Sequence, residues 1–208
     1  MAARGPGQRA GLTTTAVLDA ARILLAEQGL DALTMRALAR RLDVAPNALY
    51  SHVPGKSELI DALLDDLLAH VDEPAADAPD PVAAVAALMT STYSVLRTRP
   101  DLIPLYLARQ GARGPNAVRL GGTMDALLSR AGVPAAVVPT ARRALIVHAL
   151  GAAAFATSPA GPMSPGTAGA DFERSLGWLL AGITQPARPV AEFAERSGSR
   201  WDETCGDG

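Results

Sequence analysis

Cysteine, lysine and histidine are scarce in this chain. The scarcity of cysteine and of histidine excludes several kinds of functional site. The only cysteine is Cys205, so neither a disulfide framework nor a multi-thiolate metal site is possible. The three histidines, at positions 52, 70 and 148, are scattered without a companion nucleophile, and no Gly-rich phosphate loop or metalloprotease motif occurs. We therefore expect no enzyme activity, no cofactor and no metal.

Long apolar runs are also missing, which bears on membranes and secretion. No stretch of about 18 uninterrupted apolar residues occurs, and the first residues, MAARGPGQRAG, lack the apolar run of a signal peptide. The hydrophobic content of 49% still suffices for one sizeable core, or for a small module and a larger one. We expect a soluble, cytoplasmic protein with no membrane partner.

Acidic residues outnumber basic ones over the whole chain but not at its N-terminal end. Lys56 is the only lysine, so 18 of the 19 basic residues are arginines. Residues 1–58 carry seven basic and five acidic side chains, a balance of +2, whereas the rest of the chain carries −4. A normal solvated surface explains so mild an asymmetry by itself, and it gains meaning only with the helix pattern.

Apolar residues recur at helical spacing along the chain, and no segment alternates as a strand would. We predict an all-α protein. Residues 1–71, with an ordered core at about 13–71, are predicted to form a module of three helices and a connecting fourth helix. These helices are expected at about 15–28, 35–42, 46–52 and 57–71. Thr34 suits the N-cap of the second helix, Gly29 the end of the first, and Pro46 the start of the third. The fourth helix should expose three acidic residues: Asp61, Asp65 and Asp66.

A stretch rich in Pro, Ala and Asp, DEPAADAPDP at 72–81, is a linker to a larger C-terminal module at 82–184. Five further helices are predicted in that module, at about 82–98, 101–110, 116–131, 135–157 and 171–183. Residues 185–208 mix Pro, Arg, Glu, Ser and Gly without a period, and we expect a mobile tail there.

The second and third helices are short and are joined by a tight turn. This arrangement is typical of a helix-turn-helix, whose second helix enters the major groove of DNA. Asn47 and Ala48 lie in the first turn of that helix, where small or amide side chains touch base edges. Three polar residues at its far end are able to hold phosphate oxygens: Tyr50, His52 and Lys56.

The segment GLDALTMRALARRLDVAPNALYSHVPGKSELIDALLDDLL resembles the N-terminal domain of the tetracycline-repressor (TetR) family. The resemblance covers about residues 15–71 and rests on the Thr that opens the second helix, the LY.HV..K..L pattern and the acidic, apolar fourth helix. It implies an all-α, DNA-binding homodimer. It further implies a ligand pocket in the C-terminal domain and a dimer interface made by the last two helices.

The resemblance also implies roles for individual residues. Arg36 and Asn47 would reach bases, with Ala48 nearby. Four residues would hold the DNA backbone: Thr34, Tyr50, His52 and Lys56. One departure limits the analogy, because residues 80–110 contain neither His nor Asn, the ligand types of the magnesium–tetracycline site, and we do not expect that ligand.

Two alternatives stay open within the first module. Tyr50 would also serve as a plug of the small core. Arg40 and Arg41 are better explained as solvated, or as partners of Asp43 and Asp31, than as readers of bases.

The C-terminal module contains more flexible apolar residues than a DNA-binding module requires. A plain helical core explains most of them. Nine residues are candidates for a ligand site: Met89, Tyr93, Leu96, Tyr106, Leu120, Met124, Leu127, His148 and Phe155. They favour an apolar or amphipathic small molecule, with one carboxylate possible at Arg97, Arg99 or Arg109. His148 is either a group of that pocket or a satisfied core histidine.

These patterns favour a ligand-responsive regulator, a repressor that a small-molecule effector releases from a palindromic operator in duplex DNA. An activator would show the same residues, and the alternative from another class is an all-α interaction or ligand-binding module without DNA-binding activity. A homodimer is expected, joined by the helices at about 135–157 and 171–183, since one short recognition helix reads too few bases. Four residues should face the partner or the core: Leu176, Leu179, Leu180 and Ile183.

Overall fold

The computed structural model describes residues 12–158 and 164–185, which form helices and no strand. The all-α prediction is therefore confirmed. None of the helices in these two ranges has both the length and the hydropathy that a membrane crossing requires. The α-helices are α1 Thr14–Ala32, α2 Met35–Arg41, α3 Pro46–Leu49, α4 Lys56–Leu68, α5 Pro81–Thr98, α6 Ile103–Arg109, α7 Pro115–Arg130, α8 Val138–Thr157 and α9 Pro165–Thr184.

Local sequence fixes where the first helices begin. Thr13 Oγ1 accepts a hydrogen bond from Ala16 N at 3.1 Å, and Thr34 Oγ1 accepts one from Ala37 N at 3.1 Å. Thr34 therefore caps α2, as predicted. Pro46 occupies the first turn of α3, where its missing N–H leaves no helical bond unmade.

Two boundaries in the first module differ from the prediction. Gly29, with φ +77° and ψ −179°, ends the regular helical backbone where the sequence predicted, but a further helical segment after this kink extends α1 to Ala32. α3 ends at Leu49, and the residues from there to His52 form turns. The recognition helix is thus shorter than its sequence pattern indicates.

The last helix begins earlier than predicted. Ser164 Oγ accepts a hydrogen bond from Thr167 N at 3.3 Å, and Pro165 follows as the first helical residue, so α9 starts there and not at 171. The tail expected at 185–208 lies, apart from Gln185, outside the described residues.

One apolar core runs through both modules. In the first, α1 packs against α2 and α4; in the second, α5 is central and packs against α7, α8 and α9. Because α4 contacts α1 as well as α5, α6 and α7, it joins the two modules.

The acidic residues of α4 make this joint. Asp65 is only 6% exposed, contrary to the expected surface position. Its carboxylate accepts hydrogen bonds from Ala117 N at 2.9 Å and from Asn116 Nδ2 at 3.0 Å. α7 opens with Gly114 and Pro115 and has no side-chain cap from its own sequence. The buried carboxylate of α4 therefore caps α7, and its charge is stabilised by the positive end of that helix.

Other side chains bond α4 to α1 in the first module and to α6 in the second. Asp66 pairs with Arg22 of α1. On the opposite side, Arg109 Nε of α6 donates to Asp61 Oδ1 at 2.7 Å, and this bond raises the pKa of Arg109. Tyr106, also of α6, donates from its hydroxyl to Leu64 O at 2.7 Å. These bonds link α1 to α6 through α4.

Candidate functional site

The turn between α2 and α3 holds the two helices in a helix-turn-helix arrangement. Asp43 lies in the turn at φ +52°, a left-handed conformation that Asp tolerates better than most residues. Val44 N donates to Ala39 O at 3.0 Å and closes the turn. Leu49 of α3 is fully buried, which fixes the face that α3 turns toward the core.

The candidate base readers lie on the opposite, exposed surface. Arg36 on α2 and Asn47 and Ala48 on α3 are all exposed. Tyr50 is 50% exposed, which contradicts the alternative that it plugs the core; Leu49 fills that place. The side chains that the sequence predicted for base contact are therefore accessible on α2 and α3, and Leu49 is the residue of α3 that is buried.

The candidate backbone contacts lie at the start of α2, just after α3 and at the start of α4. Lys56 is the first residue of α4, and its Nζ donates to Leu30 O at 3.1 Å, which positions the ammonium at the surface. Gly55, the N-cap of α4, makes no side-chain capping bond, and Glu58 lies in the first turn of the helix. Thr34 is exposed beside its capping bond, and His52 is partly buried.

The two remaining arginines of α2 behave differently from each other. Arg41 donates to both carboxylate oxygens of Glu27, at 2.7 and 3.2 Å, and not to Asp43 or Asp31 as the sequence suggested. Arg40 is exposed and makes no ion pair with the described residues. Cationic charge therefore remains on the exposed face with Arg36.

Most of the predicted ligand residues lie in the core of the C-terminal module. Seven are at most 7% exposed: Met89, Tyr93, Leu96, Tyr106, Leu120, Met124 and Leu127. His148 is partly buried. Phe155 is 77% exposed and does not belong with them. Leu145, Ala149 and Ala153 occupy the buried face of α8, and Phe155, two residues past the last of them, points the other way.

The aromatic residue that joins this group is Phe172 of α9, which the sequence reasoning did not select. Its ring stacks on Tyr93 with centroids 4.1 Å apart and on His148 with centroids 5.3 Å apart. Ser175 Oγ lies 3.0 Å from His148 Nε2. The spacing of Phe172 and Leu176, one helical turn apart on a single face, was the signal that would have found it.

Two polar atoms in the same region have no hydrogen-bond partner among the residues that the structure describes. They are the hydroxyl of Tyr93 and Nε of Arg97, and both are buried. The guanidinium carbon of Arg97 lies 5.3 Å from the centroid of the Tyr93 ring, a cation–π distance.

A separate groove of about 750 Å³ runs along another face of α5, beside the segment that leads from α4 to α5. His70, Asp72 and Glu73 are among the residues that line it, and none of the nine predicted ligand residues does. Within the described parts of the chain, no three or more His, Cys, Asp or Glu side chains are grouped as a metal ion would require.

Large apolar side chains are also exposed on the last two helices. Val147 is 55% exposed and Phe155 77% exposed on α8, and Trp178 is 70% exposed on α9. By contrast, Leu176 and Leu180 are buried in the chain's own core. The four residues expected to face partner or core thus pack on the core, since Leu179 and Ile183 are partly buried against it.

The sequence is similar to known regulators. The profile of the family described as "Bacterial regulatory proteins, tetR family" matches residues 17–63. The HTH-type transcriptional repressor DrrR1 of Streptomyces coeruleorubidus is 35% identical over 117 residues, which cover 55% of this chain and 42% of that protein. The chain spans about half the length of the curated relatives it matches.

Solved structures resemble the chain over most of its length. SCO7704 of Streptomyces coelicolor, described as a transcription regulator, is 31% identical with a TM-score of 0.65, over 87% of this chain and 98% of that one. BioQ, of Mycobacterium smegmatis, was solved with its double-stranded DNA operator (TM-score 0.68, 26% identity, 84% and 99% coverage). ActR of Streptomyces coelicolor was solved with (S)-DNPA (TM-score 0.69, 25% identity, 84% and 98% coverage).

Proposed function

Because the chain belongs to the tetR family of bacterial regulatory proteins, we propose that it is a transcriptional repressor that a small-molecule effector releases from a palindromic operator. The observation that carries the proposal is the joint exposure of Arg36, Asn47 and Ala48 on a helix pair whose Leu49 is fully buried. Burial on one side and polar, cationic side chains on the other suit a helix that docks in a major groove. The operator complex of BioQ and the repressor name of DrrR1 support the same function.

The proposed DNA contacts are of two kinds: contacts to base edges, which read the sequence, and contacts to the phosphate backbone, which hold the protein on the duplex. Arg36 and Asn47 offer bidentate donors and acceptors of the kind that distinguish base edges. Lys56 is exposed at the start of α4, where its ammonium would hold a phosphate of the DNA backbone. Tyr50 and His52 hold the adjoining backbone, as does the hydroxyl of Thr34.

A homodimer completes the site. One four-residue α3 reads only a few base pairs, so two copies must address half-sites about 34–36 Å apart or slightly more. The exposed apolar side chains of α8 and α9 supply a surface for a two-fold contact.

The effector is proposed to bind in the core of the C-terminal module. Met89 and Met124 are flexible enough to repack around different ligand shapes, and Tyr93, Tyr106 and His148 provide polar atoms among apolar walls. The complex of ActR with (S)-DNPA supports a small-molecule effector.

α4 is the proposed path from the effector to DNA. It is bonded to α6 through Tyr106 and Arg109, to α7 through Asp65, and to α1 through Asp66. An effector that binds better when α6 and α7 are displaced would therefore displace α4 as well. The spacing of the two recognition helices would change, and affinity for the operator would fall.

The test begins with a duplex selected from a random library by the full-length protein. Affinity should fall steeply with salt, with a slope of about −0.9 per phosphate neutralised. Lys56→Ala should weaken binding to all sequences alike and reduce the slope by about one. Arg36→Ala and Asn47→Ala should each relax selectivity at one position, by about 1–3 kcal/mol.

The matched control is Arg113→Ala, which removes an exposed arginine from the segment between α6 and α7, away from the helix-turn-helix. It should leave both selectivity and salt slope unchanged. The alternative, an interaction module without DNA-binding activity, is favoured if no duplex is selected and binding shows no salt dependence.

A further inference from the structure

Three arginines are candidates to hold a carboxylate of the effector: Arg97 in α5, Arg99 just after it and Arg109 in α6. Two of them are already paired with carboxylates of the chain. Arg99 Nε donates to Asp101 Oδ1 at 2.9 Å, and this bond raises the pKa of Arg99. Arg109 is paired with Asp61 in the joint with α4. Neither guanidinium is available to a ligand unless a structural ion pair breaks.

Arg97 is different. It makes no ion pair or hydrogen bond with the described residues, although its Nε is buried. Tyr93, one helical turn earlier on α5, is only 3% exposed, and its hydroxyl has no partner either. The two groups are adjacent, with the guanidinium carbon 5.3 Å from the centroid of the tyrosine ring.

This pairing of unsatisfied groups is unfavourable as it stands. A buried donor without an acceptor loses its hydrogen bonds to water, and a partly buried cation without an anion loses more. Attraction between the Arg97 guanidinium and the face of the Tyr93 ring compensates the positive charge only in part. It does not provide a hydrogen-bond acceptor for the Tyr93 hydroxyl. Both donors would be satisfied by one acceptor group that carries negative charge and has more than one oxygen.

We infer that Arg97 and Tyr93 bind the headgroup of the effector and that this headgroup is an oxyanion, such as a carboxylate, on an apolar body. The inference rests on the proposed function, since it gives the chemical class of the ligand at that same site. The apolar body lies toward Met89 and Leu96, which are buried on the same helix as the two donors. A neutral ligand of the same shape leaves the guanidinium uncompensated.

A competing explanation is that a second copy of the chain, or another part of this one, supplies the acceptor. The melting temperature of the ligand-free protein distinguishes a protein acceptor from a ligand acceptor. If no protein group pairs with Arg97, then Arg97→Met removes an uncompensated charge and keeps an apolar chain of similar length. The melting temperature of the full-length protein should then rise, by about 2–4 °C, an ordinary single-site effect in a chain of this size.

Tyr93→Phe provides a second, milder variant. It should leave the melting temperature unchanged or raise it, because the deleted hydroxyl has no partner to lose. A fall in melting temperature for both variants, measured at one protein concentration, would show that protein groups already satisfy Arg97 and Tyr93, and the inference would be wrong.

The ligand arm uses two matched pairs of probes: 2-naphthoate with 2-naphthamide, and decanoate with decanamide. In at least one pair the carboxylate should bind about tenfold or more tightly than the amide by calorimetry, the size of a charge-assisted hydrogen bond. Arg97→Gln should abolish this preference. Arg113→Gln, the matched change at an exposed arginine, should preserve it.

Binding to the selected duplex is measured on the same samples. Equal affinity for carboxylate and amide in both pairs, no detectable binding of either carboxylate, or a preference that survives Arg97→Gln overturns the inference. If the wild-type protein still binds its duplex in those cases, the proposed function stands. Absence of duplex binding would instead count against the proposed function.

Discussion

At Gly114 a missing side chain makes room for the carboxylate that joins the two modules. A Cβ added there would lie 2.1 Å from Asp65 Cγ and 2.5 Å from its Oδ1, far inside van der Waals contact. Gly114 has φ −80°, so space and not backbone conformation requires glycine. Gly114→Ala must push Asp65 away from α7, and we expect a loss of about 1–3 kcal/mol, measured by denaturant unfolding.

A glycine elsewhere in α7 provides the control for this prediction. Gly122 has nothing within 4 Å of an added Cβ, so Gly122→Ala should be neutral or stabilise the helix by up to about 1 kcal/mol. In an Asp65→Ala background, Gly114→Ala should become less harmful, because the clashing carboxylate is gone. Equal stability of Gly114→Ala and Gly122→Ala would contradict the proposed cap.

Single residues show how far the sequence could predict the sites. The Thr34 cap and the exposed Arg36 followed from local spacing, because capping and helix faces depend on residues a few positions apart. The burial of Asp65 did not, since its partners at Asn116 and Ala117 lie far away in sequence. A carboxylate on a helix surface and one that caps a distant helix have the same local pattern.

Among elements, α4 and α6 meet through a hydrogen bond that depends on pH. Burial, and then the nearby charge of Asp65, raise the pKa of Tyr106, so its hydroxyl remains a donor to Leu64 O. In the unfolded chain a tyrosine loses its proton at about pH 10. Above that pH the unfolded state binds fewer protons than the folded state, so stability falls as pH rises toward the folded-state pKa.

Tyr106→Phe should therefore have two effects on unfolding. At neutral pH it should cost about 1 kcal/mol through the lost hydrogen bond. Above about pH 10 the variant should lose stability less steeply than the wild type, because its phenyl ring does not titrate. Tyr50→Phe, at a half-exposed position, is the control and should show neither effect. Parallel pH profiles for wild type and Tyr106→Phe would refute the argument.

Helix type and order were predictable because the apolar period of each long helix is strong, whereas some ends were not. α9 begins at Pro165 because Ser164 caps it, although the surrounding Pro and Gly suggested a loop. The role of Phe155 was also misjudged. Its apolar character indicated burial, but the periodicity of α8 gives its buried face to smaller residues such as Ala149 and Ala153.

At the scale of the whole molecule, the exposed Phe155 belongs to an apolar surface on the last two helices. Phe155 and Val147 on α8 and Trp178 on α9 expose apolar surface on two helices that pack against each other. Water contact with three large apolar side chains is unfavourable, and association of two copies removes it. We expect these side chains to lie in the interface of the proposed homodimer.

The double substitution Phe155→Glu with Trp178→Glu should convert the dimer to a monomer at micromolar concentration. Each chain should still fold, because both side chains are largely exposed and contribute little to its own core. Light scattering after size exclusion reports the mass, and circular dichroism reports the helix content.

The control is Val118→Glu on α7, which places the same charge at another apolar position, 70% exposed, and should leave the dimer intact. Affinity for the palindromic duplex should fall with the mass, because a monomer presents a single recognition helix and loses the second half-site. A variant that keeps the dimer mass would show that another surface carries the assembly. A monomer that binds the full operator as tightly as the wild type would show that a second recognition helix is not needed for operator binding.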